Sequence, residues 1–177
     1  MKAAKRYIIT GPPGSGKTTL INALRNRGYQ CRDEVSRQVI IDEQKTNNNG
    51  TPWGDLKRFT RLVHERTVSD FPADQGLVFY DRGLLDNVAY LRNASMEIPS
   101  VFKKFDYQNY YENVVFYTPP WKEIYLNDPQ RPGTFEAATQ LHRHLRKTYE
   151  VYHFKLVEVP LIEIMDRVNF VLTHLKR

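Results

Sequence analysis

Gly11, Pro12, Pro13, Gly14, Ser15, Gly16, Lys17 and Thr18 follow one another as GPPGSGKT and satisfy the pattern G-x-x-x-x-G-K-[ST]. That spacing suits a polyphosphate. Glycines let the backbone curl until successive N–H groups point inward, and a helix beginning at the lysine adds the positive end of its dipole. Lys17 is then placed to reach the β- and γ-phosphates and the Thr18 hydroxyl to ligate Mg2+, with Thr19 counted among the loop's contacts. The ligand this chemistry points to is ATP, with GTP as the alternative.

Asp81 closes the apolar run LVFYD, at the C-terminal strand edge where a doubly wound sheet presents its ligands. It is the expected second Mg2+ ligand. Motor ATPases usually follow this aspartate with a glutamate that activates water, whereas here Arg82 follows, a fork suited to clamping phosphate or substrate oxygens. A guanine-reading N-K-x-D sequence is absent, and Asp81-Arg82-Gly83 is one residue short of the D-x-x-G of signalling GTPases. Phosphoryl transfer therefore matches these residues better than hydrolysis or a Ras-like switch.

A second acidic pair, Asp33 and Glu34, follows another short apolar run and precedes Arg37. Glu34 in the same crevice would take a proton from an acceptor hydroxyl while Arg37 holds the acceptor's anionic part. As plain capping residues, both carboxylates would instead meet the positive end of the next helix. Asp33 reads better as the cap, and the residues leave open which of the two faces the crevice.

Further on, Asp128 to Gly133 reads DPQRPG and leads into a helix with Arg143 and Arg146. A flexible entry plus arginines describes a closing lid over about 126–148, in which Arg131 neutralises charge on the transferred phosphoryl group while water is excluded. Arg143 and Arg146 fit a solvated helix face equally well. The histidines show no metal-ligand spacing with Cys31, and that lone cysteine reads as a packed thiol.

To hold these groups the chain needs a scaffold, and five runs rich in aromatic or branched residues supply strands: Tyr7 to Thr10, Tyr29 to Asp33, Leu77 to Asp81, Val114 to Thr118 and Phe154 to Val159. Helical patterns fill the gaps. Leu20, Ala23 and Leu24 mark one helix, Val35, Val39 and Ile40 a second, Leu56, Phe59, Val63 and Thr67 a third, and NNNGTPWG between the last two is loop. Leu141, Leu145, Tyr149 and Tyr152 form a late stripe, and Leu161, Met165, Val168, Leu172 and Leu175 another. The alternation predicts an α/β fold with a parallel sheet covered on both faces. Asn93 to Asn113 lacks a clean period, and its aromatic residues fit sheet packing better than a ligand border.

With 177 residues, 41% of them hydrophobic, the chain suits one domain over 1–177. No run approaches the roughly 18 apolar residues of a membrane span, which predicts a cytoplasmic location. Net charge is +6, from 26 Lys+Arg against 20 Asp+Glu. The basic residues are scattered, which fits a solvated surface plus an anion pocket better than a dedicated nucleic-acid face.

Taken in order, YIITGPPGSGKTTLINALRNRGY, EVSRQVI, FYDRGLLDNVAYL, VVFYTPP, DPQR and VEVPLIEIMDRVNFVL resemble the AAA_28 or NadR/Ttd14-like P-loop domains, themselves similar to nucleoside and nucleotide kinases. The resemblance covers nearly the whole chain. It implies a P-loop αβα sandwich with strand order 2-3-1-4-5, ATP with Mg2+, and a small phosphoryl acceptor bound between the ends of the second and third strands. Carried over, it makes Glu34 the base, Arg82 a phosphate or substrate clamp, Arg131 a lid arginine, Asp86 an acceptor contact, and the turn near Val159 and Pro160 the adenine's neighbourhood. The group divides between members similar to nicotinamide riboside kinase and members that bind nucleotide as regulators or adaptors, so the expected reaction is kinase-type transfer, with a nucleotide-dependent module for a protein or lipid partner as the alternative.

Overall fold

The computed structural model describes residues 4–126 and 133–175. The apolar runs become strands β1 (Lys5–Thr10), β2 (Gln30–Arg32), β3 (Leu77–Asp81), β4 (Val114–Tyr117) and β5 (Lys155–Glu158). Between them lie helices α1 (Lys17–Asn26), α2 (Val35–Lys45), α3 (Leu56–Asp70), α4 (Leu84–Asn93), the single turns α5 (Ser100–Lys103) and α6 (Tyr107–Tyr110), then α7 (Phe135–Val151) and α8 (Ile164–Leu175). The sheet is all parallel in the order β2-β3-β1-β4-β5, as the resemblance implies.

Pleating sends successive strand residues to opposite faces. Tyr7, Ile9, Phe79 and Phe116 therefore share one core with Leu20, Ile21 and Leu24 of α1 and Val168 and Val171 of α8. Ile8, Val78, Tyr80, Val115 and Tyr117 share the other with α2, α3, α4 and α7. Three layers result, with β1 central and both of its edges paired. Because helices cover both faces, the inner strands read as near-continuous apolar runs, which is why sequence alone locates them.

Two local expectations are corrected. Asp33 is not the cap of α2: Glu34 holds the N-cap position without a side-chain cap bond, and Asp33 turns outward to pair with Arg25. On α8 the buried face is Arg167, Val168 and Val171, while Met165 and Leu161 are exposed and Leu161 precedes the helix. Packing against α1 and the loop ahead of it rotates α8 from the simple apolar stripe. The aromatic stretch after α4 does pack, with Phe102, Tyr107 and Tyr111 in the larger core. Among the described residues no helix is long and apolar enough to cross a membrane.

At the opposite sheet edge from the glycine loop, Asp74 accepts from Arg6 at 2.6 Å, from Arg32 at 2.8 Å and from the Tyr80 hydroxyl at 2.6 Å. Its side chain has no solvent exposure. Removing one member of such a network strands the others in the interior, so Asp74→Ala is expected to cost about 3–5 kcal/mol, read as a lower urea midpoint with an unchanged slope.

Candidate functional site

The turn from β1 into α1 carries the glycine loop to the C-terminal edge of the sheet. Gly16 sits at the N-cap of α1 with φ +78°, a left-handed conformation that glycine adopts without the cost a side chain brings. A Cβ there would also lie 2.7 Å from Nη1 of Arg167, whose guanidinium would have to shift. The Ser15 hydroxyl bonds the Pro12 carbonyl at 2.8 Å and the Thr118 hydroxyl at 2.7 Å, tying the loop to the end of β4. Lys17 folds back over the loop and donates to the Pro12 carbonyl at 2.6 Å. Burial, then the neighbouring Arg82 guanidinium, pushes its ammonium down to about 7. An anion beside it would offset both effects.

Thr18 donates to Asp81 Oδ2 at 3.2 Å, so the hydroxyl and carboxylate expected as metal ligands are brought together. The other oxygen, Oδ1, is buried and has no hydrogen-bond partner among the described residues. Burial, then the Glu34 charge, pushes the Asp81 carboxyl up to about 6. A buried carboxylate oxygen beside a threonine hydroxyl fits a hard cation such as Mg2+, which takes one or two protein oxygens plus phosphate and water. No cluster of three or more His, Cys, Asp or Glu residues suited to a metal exists among the described residues.

One residue on, Arg82 has φ +79°, a backbone strain uncommon outside glycine and concentrated at functional sites. The turn delivers its guanidinium to three acceptors: Glu34 Oε1 at 2.5 Å, Asp86 Oδ2 at 3.0 Å and the Gly11 carbonyl at 3.1 Å. Burial lowers its pKa, but Glu34, Tyr90 and Asp86 together raise it well above the ordinary arginine value. Glu34 also accepts from Ser36 at 2.6 Å. Between the two acidic candidates, Glu34 is the one in the crevice: its side chain is 8% exposed, against 84% for Asp33. Asp86 is deeper, accepting from Thr10 at 2.8 Å and from the Tyr149 hydroxyl at 2.6 Å. It anchors Arg82 to the sheet and to α7.

A cleft of about 520 Å³ runs from Lys17, Glu34, Arg37 and Arg82 past Thr18 and Thr19 to Trp121, Ile124, Ile162 and Arg167. Its far end lies a few residues beyond β5, whereas Val159 is fully buried and neither it nor Pro160 lines the cleft. Beside the cleft, a second cavity of about 190 Å³ is walled by Ser36, Trp53, Phe59, Tyr90, Asn93 and Tyr125. Pro13 of the loop borders both. Arg131 lies outside the described residues, as does the 127–132 part of the expected lid. The remainder of that stretch is mainly α7, whose Leu141 and Leu145 are buried. Arg146 pairs with Glu158 at 2.9 Å, a surface contact on the sheet's β5 side.

Arg167 was not among the sequence candidates. It reaches from α8 to the Ser15 carbonyl at 3.3 Å, under the Trp121 ring at 5.5 Å. A signal existed: three residues after Ile164 and four before Val171, it is an arginine on the apolar face of its helix.

The AAA_28 family model, described as an AAA domain, matches residues 6–167. The chain belongs to this family. This AAA_28 domain is 26% identical to a proteasome-associated ATPase of Pseudarthrobacter chlorophenolicus, over 81% of this chain and 27% of that protein. It is 33% identical over 97 residues to the beta-(1→2)glucan export ATP-binding/permease protein NdvA of Rhizobium etli, 55% of this chain and 14% of that one. It thus spans well under a third of the length of these curated relatives. Among solved structures, deoxyadenosine kinase from M. mycoides with bound dATP superposes with a TM-score of 0.63 at 15% identity, over 98% of this chain and 100% of that one. NadR in complex with NAD and AMP-PNP gives 0.69 at 18% identity, over 98% and 50%. The AAA_28 domain shares their fold.

Proposed function

We propose that the chain binds ATP with Mg2+ in the phosphate-loop cleft and transfers the γ-phosphoryl group to the hydroxyl of a small nucleoside-like acceptor. The observation that carries this reading is the place of Glu34 and Arg82, which border the phosphate cleft on one side and the Asp86, Asn87 and Tyr90 cavity on the other. In the transfer, the acceptor oxygen bonds the γ-phosphorus, the bridging bond to the β-phosphate oxygen breaks, ADP leaves, and Glu34 receives the acceptor's proton. Lys17 and Arg82 hold the phosphate oxygens in line, and Arg37 stands at the cleft's acceptor end. Mg2+ would be held by Thr18 and Asp81 and would neutralise charge on the phosphates.

The neighbouring aromatic cavity supports an acceptor with a flat ring. Trp53, Phe59, Tyr90 and Tyr125 offer ring faces, Asn93 and Ser36 offer polar edges, and no charged side chain lines it among the described residues. Such a wall suits an uncharged ring better than a polyanion. The test is Mg2+ with γ-labelled ATP or GTP against nucleosides, nucleotides and short oligonucleotides, using wild type and the Asp81→Asn variant. The expected result is a labelled small acceptor in wild type and a strong loss in the variant. Tight nucleotide binding with only slow phosphate release sinks the kinase reading.

One observation favours a nucleotide-dependent module instead: the Glu34 oxygen proposed to act as base already accepts from Arg82 and Ser36. In that reading the ion pair is a latch that nucleotide state opens, and the signature is slow turnover that no acceptor accelerates.

A further inference from the structure

Arg167 is 2% exposed, and its guanidinium meets no carboxylate among the described residues. Among the described residues its polar contacts are the weak bond to the Ser15 carbonyl and the Trp121 ring, and its buried Nε–H has no partner there. Arg82, the other arginine buried among the described residues, has Glu34 and Asp86, and the half-buried Arg6 and Arg32 share Asp74. A guanidinium does not escape by losing its proton, so a buried unpaired one is costly. Two more features add to the cost. Arg167 lies in the first turn of α8, where the helix dipole is positive and disfavours a cation, and it borders the same cleft as the Lys17 ammonium. Burial alone already lowers its pKa.

An anion in the cleft would remove all three penalties at once. We infer that Arg167 is a phosphate ligand supplied by α8, pairing with the polyphosphate of the bound nucleotide and so linking the seating of the closing helix to nucleotide occupancy. This rests on the reading that the cleft binds a nucleoside triphosphate. The geometry supports phosphate as the partner, because Nη1 lies against Gly16, in the stretch of loop whose N–H groups cradle phosphates.

The experiment measures ATP and inorganic tripolyphosphate binding, and nucleotide-free melting, for wild type, Arg167→Met and Arg167→Lys. Met is expected to weaken both ligands about 10- to 100-fold, the scale of a lost charge-assisted contact. Its nucleotide-free melting temperature is expected to hold or to rise by roughly 2–4 °C, since an apolar chain replaces an unpaired buried charge. Lys, which keeps the charge, is expected to recover much of the affinity. Opposite signs for affinity and stability distinguish a ligand from a structural prop. Unchanged affinity in Met, a joint fall of affinity and stability, or a loss for ATP without one for tripolyphosphate each overturns the inference, as does a Lys variant no better than Met. Wild type that binds neither ligand overturns the nucleotide reading itself.

Discussion

Lys17→Ala is expected to lower phosphoryl transfer by at least about 10³-fold, the scale of removing a cation that faces the transferring group. The substitution deletes the ammonium of a residue that is 5% exposed, bonded among the described residues to Pro12 and Ser15 of the loop. Those bonds are what the side chain does without a phosphate. With one, the same three donors can turn to the β- and γ-oxygens, where charge develops as the bridging bond breaks. The loss should not come from unfolding. Lys17 is held down by burial and by Arg82, so its removal relieves a like-charge contact, and the variant's melting temperature should stay within a few degrees of wild type. Single-turnover transfer, equilibrium ATP binding and thermal melting measured together check this. A Lys17→Ala variant that melts normally and still turns over at the wild-type rate would remove the loop from the chemistry. Arg is a poor substitute here, because a planar fork does not fit a site built for a point charge.

Glu34→Gln is expected to lower turnover by about 10²- to 10⁴-fold, the range for losing a positioned general base, while ATP affinity changes little. The amide is close in shape and still accepts a hydrogen bond, so Arg82 keeps a partner there and its full pairing with Asp86. What disappears is the capacity to take a proton. Asp33→Asn is the control: its side chain is 84% exposed and among the described residues pairs with Arg25 alone, so turnover should be unchanged and stability should move by no more than about 0.5 kcal/mol. Equal losses in the two variants, or a loss confined to Asp33→Asn, would defeat the assignment of Glu34 as base.

The phosphate loop was legible because its function is written in backbone needs: glycines at Gly14 and Gly16 with positive φ and a lysine at the first helical position leave few other readings. The strands were legible because burial on both faces makes them apolar throughout. The division of labour around Arg82 was not. That arginine looked like a free clamp beside Asp81, but its left-handed backbone sends the side chain toward Glu34 and Asp86, and no local pattern encodes a φ of that sign. Asp33 and Glu34 are chemically alike in sequence, and only the turn into α2 decides that one faces Arg25 and the other Arg82. Arg167 hid for a different reason. An apolar stripe drawn through Met165 and Val168 leaves it off the buried face, whereas one drawn through Ile164, Val168 and Val171 includes it, and α8 seats that second stripe against the glycine loop.

The strand that carries that loop is also the one the chain must wait longest to finish. Lys5 pairs with Leu77 and Ile8 with Val115, so β1 acquires its two neighbours only after most of the polypeptide exists. At a synthesis rate of about 5–20 residues per second the delay is on the order of 5–20 s, during which GPPGSGKT hangs from a strand with both edges bare. Pairings this distant slow folding and invite association between nascent chains. Nucleotide arrives too late to help, because its cradle is complete only when β3 and β4 have docked. A chain interrupted before Val114 leaves β1 open along one side, and such a fragment should be a client for chaperones rather than a smaller version of the same protein.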